Sequence, residues 1–474
     1  MIDKVLKFAD EHEMLPESGC VLVCVSGGAD SMCLLEVMRH ISYERGFSVA
    51  AAHFNHGMRG EESDRDESFV HDYCDACGVP LYSGDGDVRA YANARNLSIE
   101  MAARELRYDF FNEAAEIADA SRIATAHTAD DNAETILMNL VRGAGAAGLS
   151  GIPPLREAFG RDETPEQGIG IIRPMLRISR DEVMKFIGER GIPFIEDPTN
   201  SLDIYTRNKI RNTVMPVLRE INPRLNEAAA AAAELLRADE EMLSDLADLF
   251  ITDMCSGLTA EVVDLLNLPF AVSSRVVRKL YGGNLSYNHV KAVLELCEGD
   301  NPSASLSLPG MTVFREYGRI VFASTVASEA DGFAHVYPAD GDSVIIFGAG
   351  LKMTCKSVVC DDNILKFAEY ATGSKINKSF TSFLFKTVDI CGKIAVRPRR
   401  EGDTIRLFSH TGTKTLKKLF IERRVPTRKR ALIPVIADDY GVLGVYGLGF
   451  GERAIPAPGD AAIQIVFEEI QPKE

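Results

Sequence analysis

No stretch of this 474-residue chain comes near the ~18–20 consecutive apolar residues that a bilayer-crossing helix needs. The start, Met1-Ile2-Asp3-Lys4-Val5-Leu6-Lys7, mixes charges into its apolar positions and lacks the apolar centre of a secretory signal. A cytoplasmic protein is expected. Cysteine is sparse: ten residues are too dilute for a disulfide scaffold. Cys20, Cys24 and Cys33 lie in or beside apolar stretches and read as small buried hydrophobes. Cys74-x-x-Cys77 has no second pair and no histidines at matching spacing, so a structural zinc or iron–sulfur site is not expected. Internal repeats and low-complexity tracts are missing as well. What remains is ordinary globular chain, 46% hydrophobic and 26% charged, long enough for two or three domains.

Positive charge is in deficit, with a formal net charge of −17, which argues against indiscriminate binding to nucleic acid. The deficit is uneven. Between Lys393 and Arg430 there are thirteen Lys/Arg against three acids, Glu401, Asp403 and Glu422. So dense a basic segment on an acidic protein suits a polyanion, although a solvated face is the plainer reading.

The first two hundred residues alternate short apolar runs with amphipathic patterns, which predicts a parallel α/β sheet. Strands are expected at Val21–Val25, Ser48–Phe54 and Arg122–His127. Helices follow the first, with Met32, Leu34, Leu35 and Met38 apolar, and the third, with Ile136, Leu137, Leu140 and Val141. Pro153-Pro154 and Arg161 to Gly170 read as loop. Leu225–Met254 predicts one long helix containing six consecutive alanines, a run of high helix propensity with no chemical role. Helical sequence continues to about Glu298, and β-type runs begin near Ser305. The expected plan is a nucleotide-binding domain over 1–218, a mainly helical domain over 219–325, a β-rich connector over 326–390 and a small basic domain with β-sheet over 391–474.

Val21–Val25 runs directly into Ser26-Gly27-Gly28-Ala29-Asp30-Ser31 and then a helix. Two glycines let successive N–H groups turn inward, and a helix N-terminus adds partial positive charge, so the loop is an anion cradle. Ser26 and Ser31 can donate to phosphate oxygens. Asp30 beside a phosphate is repulsive unless a cation lies between them, which implies Mg²⁺. A Walker loop is excluded by the lack of Gly-Lys-[Ser/Thr], and the dinucleotide fingerprint by the lack of a third glycine.

Ser-Gly-Gly-x-Asp-Ser resembles the pyrophosphate loop of the N-type ATP pyrophosphatases, which cleave ATP between the α and β phosphates and transfer AMP to a substrate oxygen. Five further segments narrow the likeness: His53-Phe54-Asn55-His56-Gly57-Met58-Arg59-Gly60 with Glu61 to Asp64; Glu100 to Tyr108; Thr125-Ala126-His127-Thr128-Ala129-Asp130-Asp131-Asn132-Ala133-Glu134-Thr135 with Arg142 to Gly145; Glu196 to Asn200; and Thr206-Arg207-Asn208-Lys209-Ile210-Arg211. With Val396 to Asp403 and Lys417 to Phe420, the chain resembles the tRNA(Ile)-lysidine synthetase family. The likeness covers nearly all of the first 220 residues and resumes at Val396, while about 225–390 matches only in general character.

That resemblance implies a two-step reaction: ATP adenylates O2 of the wobble cytidine of tRNA(Ile) with a CAU anticodon, and the ε-amine of free L-lysine then displaces AMP at C2. Nucleotide would be held by Ser26, Gly27, Gly28, Ala29, Asp30 and Ser31, with His53 and His127 nearby and Mg²⁺ on Asp30. Asp131 and Glu134, three apart on a helix, share a face and could bind the lysine ammonium, accept its proton or help bind metal. Asp130 should point about 100° away. Arg107 could stabilise charge on the nucleotide or departing AMP. Arg207, Arg211, Arg397, Arg399, Arg400, Lys414, Lys417 and Lys418 would meet tRNA phosphates, although Arg207 and Arg211 could equally be plain helix-surface charges. No membrane partner is expected, and a homodimer stays open. The competing readings are a tRNA thiolation enzyme, disfavoured by the lack of a second cysteine pair, a small-molecule amidating enzyme, and a non-catalytic nucleotide- or RNA-binding protein.

Overall fold

A computed structural model describes residues 1–57, 60–156, 169–196, 206–324, 333–361, 380–408 and 412–470. Two compact units divide at residues 242 and 243. Among the described residues no helix is long and apolar enough to cross a membrane.

The first unit opens with α1 (Ile2–Glu11), β1 (Cys20–Cys24), α2 (Ala29–Arg45), β2 (Ser48–Asn55), α3 (Glu61–Cys77), β3 (Leu81–Asp85), α4 (Val88–Arg95) and α5 (Ile99–Ile117). It continues through β4 (Ala120–Ala124), α6 (Ala129–Val141), α7 (Ala146–Leu149), β5 (Leu155–Arg156), β6 (Gly170–Ile172) and α8 (Arg180–Arg190). The sheet order is β3-β2-β1-β4-β6-β5, parallel except for β5. Val21, Leu22 and Val23 of β1 are completely buried, as expected of a strand covered on both faces. One face packs on Met32, Cys33, Leu34 and Met38 of α2, the other on Phe111, Ala114 and Ala115 of α5. Each such large apolar side chain contributes about 1.5–3 kcal/mol.

Two expectations shift. The third strand ends at Ala124, not at His127. Thr125 N–H still bonds Ile172 O, but Thr128 then caps α6 in a capping box with Asp131, so His127 lies in the connecting turn. The loop expected over Arg161 to Gly170 lies outside the described residues except for Ile169 and Gly170, and Gly170 begins β6. Beyond α8 come α9 (Thr206–Lys209), a π-helical turn (Ile210–Val214), α10 (Met215–Ile221) and α11 (Leu225–Met254), the last with the predicted bounds.

In the second unit, helices Val262–Asn267, Phe270–Tyr281 and Tyr287–Glu298 pack with a four-stranded sheet; Ser305–Leu308, Met311–Glu316 and Arg319–Ser324 coincide with the β-type runs expected from Ser305, and Thr259–Glu261 adds an unexpected strand. Strands Ser343–Ile346, Leu351–Val359 and Ser382–Lys386 join Ala461–Glu469 in another sheet. The described strands of 326–390 therefore share one sheet with Ala461–Glu469, which lies within the expected 391–474 domain. A third sheet contains Ala395–Arg397 and Val442–Val445.

Arg397, expected on an RNA-facing surface, is instead buried and bonds both Asp403 oxygens at 2.8 and 2.9 Å. Its guanidinium and Asp403 hold the turn that also brings Arg400 N–H to Asp403 at 2.6 Å. Arg397→Ala should cost about 3–5 kcal/mol, because it strands a buried carboxylate. Arg397→Lys, which keeps the charge but not the fork, should recover part of that loss. Thermal unfolding checks both; an Arg397→Ala protein of parental stability would refute the pairing.

Candidate active site

In the sheet order, β1 leads outward to β2 and β3 on one side, while β4 and β6 lie on the other. The order in which strands are added thus reverses between the parallel neighbours β1 and β4, and ligands settle in the crevice beyond the carboxyl ends at such a point. Both strands deliver polar sequence there. After β1, Ser26 N–H donates to Ser31 Oγ at 3.1 Å, and Ser31 Oγ donates to Gly28 O at 2.9 Å. Gly27 takes φ +85°, and a Cβ there would meet Ile195 Cδ1 at 3.0 Å, so only glycine sits without strain. Gly28 caps α2 without a side chain, leaving the first turn of a 17-residue helix open to an anion.

Asp30 lies in that first turn. Its Oδ2 receives Arg180 Nη1 at 3.4 Å, while its Oδ1 is buried without a hydrogen-bond partner. Burial pushes the Asp30 carboxyl up, opposed by Arg180 and assisted by the charge of Asp131. An orphaned carboxylate oxygen beside an anion cradle fits a hard divalent cation that keeps most of its other ligands from water and phosphate. Among the described residues no three His, Cys, Asp or Glu converge on a protein-only metal site.

From β4, the turn through His127 leads into α6. Asp131 Oδ2 accepts Thr128 N–H and Oγ1, both at 2.9 Å, and so closes the cap. Its Oδ1 accepts Arg207 Nη2 at 2.9 Å and Arg211 Nη2 at 3.1 Å. Glu134, whose side chain is 2% exposed, accepts Arg207 Nε at 3.0 Å on Oε2, with Arg211 Nε at 2.6 Å on Oε1 and Nη2 at 2.9 Å on Oε2. Burial alone would raise the Asp131 carboxyl, but Arg207, the Thr128 N–H and Arg211 hold it below the usual carboxylate range. The shared helix face of Asp131 and Glu134 is thus real, and Arg207 and Arg211 are engaged with it instead of standing free on a helix surface. Asp130 turns away, accepting Arg180 N–H at 2.8 Å and an ion pair from Arg219.

The histidines separate. His53 is buried and its Nδ1 lies 2.9 Å from Val25 O, tying β2 to the end of β1. His56 stands edge-on to Phe54, and burial, Arg107 and His53 push it down to about 4. Arg107 also faces the Cys24 thiol, which burial drives upward, so it belongs to the β1–β2 side of the crevice. His127 Nδ1 is 3.0 Å from Thr125 Oγ1, and burial with Arg173 and Arg207 lowers it to about 4 against the pull of Asp131. Met58, Arg59 and Asp197 to Asn200 lie outside the described residues.

Sequence reasoning missed Arg173, Arg180 and Arg219. Arg173 follows β6, is buried, and bonds Pro153 O at 2.7 Å with its Nε unpartnered. Arg180 and Arg219 line a cavity of about 690 Å³ with Asp130, Glu134 and Arg211. The Ser179/Glu182 capping box was a legible signal for the helix that carries Arg180. Cys74 is buried, and Cys77 Sγ lies 4.0 Å from Glu36 Oε1. On the basic segment, Arg399, Arg400, Lys417 and Lys418 are exposed, Lys414 pairs with Glu422 at 2.6 Å, and Arg428 pairs with Glu316.

His127 and His56 are held neutral in the fold, whereas in the unfolded chain they titrate near ~6.5. The unfolded state therefore binds protons first, and stability falls as pH drops from about 6.5 toward 4. His127→Asn should lose about 1–2 kcal/mol less than its parent between pH 7 and 5. Urea midpoints at the two pH values decide it; identical losses would show that His127 is not held neutral.

Two family models match the chain: a PP-loop domain over residues 2–218 and a TilS substrate C-terminal domain over residues 394–467. The tRNA(Ile)-lysidine synthase of Geobacillus kaustophilus is 34% identical over 94% of this chain and 95% of its own. That of Geobacter sulfurreducens is 33% identical, covering 98% and 96%, and that of Bacillus licheniformis 30%, covering 93% and 91%. Similarity at this level along nearly the whole length, with the loop and the acidic helix in place, means that the chain belongs to the tRNA(Ile)-lysidine synthase family.

Proposed function

We propose that this protein uses ATP to join free L-lysine to C2 of the wobble cytidine of tRNA(Ile) bearing a CAU anticodon, releasing AMP and pyrophosphate. One observation carries the reading: an anion cradle and an acidic pair, Glu134 buried and Asp131 half-buried, follow adjacent strand ends at the point where strand order reverses. Polyphosphate and amine would thereby meet in one crevice.

The roles follow from what each group can do. Ser26 to Ser31 would hold the departing pyrophosphate through backbone N–H groups and the open turn of α2. Asp30 would carry Mg²⁺ through its unpartnered oxygen, and the ion would neutralise charge building up on the phosphates. Arg107, on the β1–β2 side, would offset negative charge on the adenylate. His127 is neutral at physiological pH and can hydrogen-bond the nucleotide without adding charge. Asp131 and Glu134 would receive the lysine ammonium. Asp131 stays ionised through the neutral range, so it suits binding the cation better than removing its proton.

For the RNA, Arg399, Arg400, Lys417 and Lys418 have the exposure that phosphate contacts need. Leu416, Leu419 and Phe420 are buried on the same helix, Leu416–Glu422, which fixes Lys417 and Lys418 outward.

The decisive assay incubates the protein with ATP, Mg²⁺, radiolabelled lysine and a tRNA(Ile) transcript with a CAU anticodon, and counts label in precipitated RNA. ATP-dependent incorporation should disappear when the wobble cytidine is replaced. Pyrophosphate exchange that needs tRNA, without incorporation, would remove lysine as the nucleophile. Lys417→Ala and Lys418→Ala should each leave folding stability within about 0.5 kcal/mol. Each should lower the slope of log affinity against log salt by about 0.7–0.9. Unchanged slopes would clear these lysines of phosphate contact.

A further inference from the structure

The acidic pair is nearly full. Asp131 accepts four hydrogen bonds, from Thr128 N–H and Oγ1 and from both arginines. Glu134 accepts three, one from Arg207 and two from Arg211. A carboxylate offers about four acceptor positions, so an arriving ammonium, with three donors, would find about one vacancy and two competing cations.

We propose that Arg207 and Arg211 are place-holders on the amine site, and that phosphate oxygens of the bound nucleotide draw them away, so that nucleotide entry opens the acidic pair to lysine. This rests on the reading that Asp131 and Glu134 receive the amine. It adds an order of binding and assigns the two arginines a positioning role.

Three features support the exchange. The guanidinium fork binds phosphate oxygens in the same two-pronged way that it binds carboxylates, so both destinations are chemically equivalent. The arginine side chains are 41% and 28% exposed, whereas Glu134 is 2% exposed; the cations can move and the acid cannot. Arg211 lies close enough to Asp30, in the first turn after the anion loop, for each to influence the other's charge. It therefore stands between the two sites. Its carrier is the π-helical turn Ile210–Val214, flanked by the four-residue α9 and by α10. Such turns interrupt regular helix bonding and recur at functional positions.

The energetics demand coupling. If the arginines left alone, buried Glu134 and half-buried Asp131 would lose their counter-charges, which is strongly unfavourable. If lysine entered alone, three cations would share two acids. In the joint event polyphosphate takes the guanidiniums and the ammonium bridges the two acids, so no guanidinium is left without an anion and neither carboxylate without a cationic partner.

The test is a calorimetric titration of the full chain with lysine, in Mg²⁺, with and without α,β-methylene-ATP. The analogue should tighten lysine binding about 5- to 150-fold, the usual range of coupling between sites. In Arg207→Gln and Arg211→Gln the nucleotide-free protein should already bind lysine, and the dependence on analogue should shrink. Where those variants do not fold, the parent protein carries the test: lysine must tighten analogue binding by the same factor. Equal lysine affinity in both arms, or no lysine binding even with the analogue, overturns the proposal. Undiminished coupling in both folded variants overturns the part given to the arginines. Glu134→Gln separates the two ideas: unchanged lysine affinity in the presence of the analogue would refute the amine-site reading itself.

Discussion

Two carboxylates on one turn of α6, faced by two guanidiniums from the helical segments of 206–221, form the interaction on which the docking of those segments in the first unit depends. A buried carboxylate with no counter-charge is costly, so α6 and the 206–221 segment must dock together for either to be tolerated. The apolar cluster beneath them sets Ala133 against Ile210 and Met215, with Leu137, Met138, Leu225 and Ala229 partly buried around them. Apolar burial of that size could hold the segment in several registers. The four charges select one, because Arg207 and Arg211 must meet both acids at once. Replacing such a cluster by hydrophobic residues of similar volume is often neutral or stabilising. Its presence is therefore better explained by chemistry than by stability.

The position of the cluster follows from topology. α6 begins where β4 ends, and β4 lies beside β1, whose end carries the anion loop. Thr128 and Asp131 fix the first turn of α6 through their reciprocal cap, so Asp131 serves both the helix start and the arginines. A carboxylate already committed through one oxygen cannot rotate. The other oxygen is presented in a single direction, which suits recognition of a cation.

Much of this was legible in the residues. β1 and β2 are short apolar runs between turn signals, and Leu225–Met254 is a long helical pattern bounded by Pro223 and Gly257. The loop after β1 could be read as an anion site from two glycines and two serines alone. Partners across the fold could not. The i, i+4 spacing of Arg207 and Arg211 says that they share a helix face, but nothing about what lies opposite. Arg397 looks like one more cation in a basic run, and only the turn to Asp403 shows that it is interior. The end of β4 was misplaced because Thr125 to His127 continue an extended pattern, while the competing signal, a capping box, lies three residues further on. Arg173 carried no signal beyond its place after an apolar triplet.

The chemistry proposed for this crevice asks one amine to be bound as a cation and to react as a free base. Those demands conflict at a single rigid acid pair. Lysine in water keeps its proton to about pH 10.4, and two adjacent carboxylates would hold that proton more firmly still. Neighbouring guanidiniums act in the opposite direction, since a nearby positive charge disfavours the protonated amine. Arg207 and Arg211, shifted toward phosphate but still within the crevice, would leave the acids able to capture the ammonium while lowering the cost of releasing its proton. An acidic pair without arginines would bind lysine well and hold it inert. One with the arginines fixed in place would exclude it. Capture followed by reaction requires cations that can be near the pair without occupying it, and long, half-exposed arginine side chains on short helical segments meet that requirement.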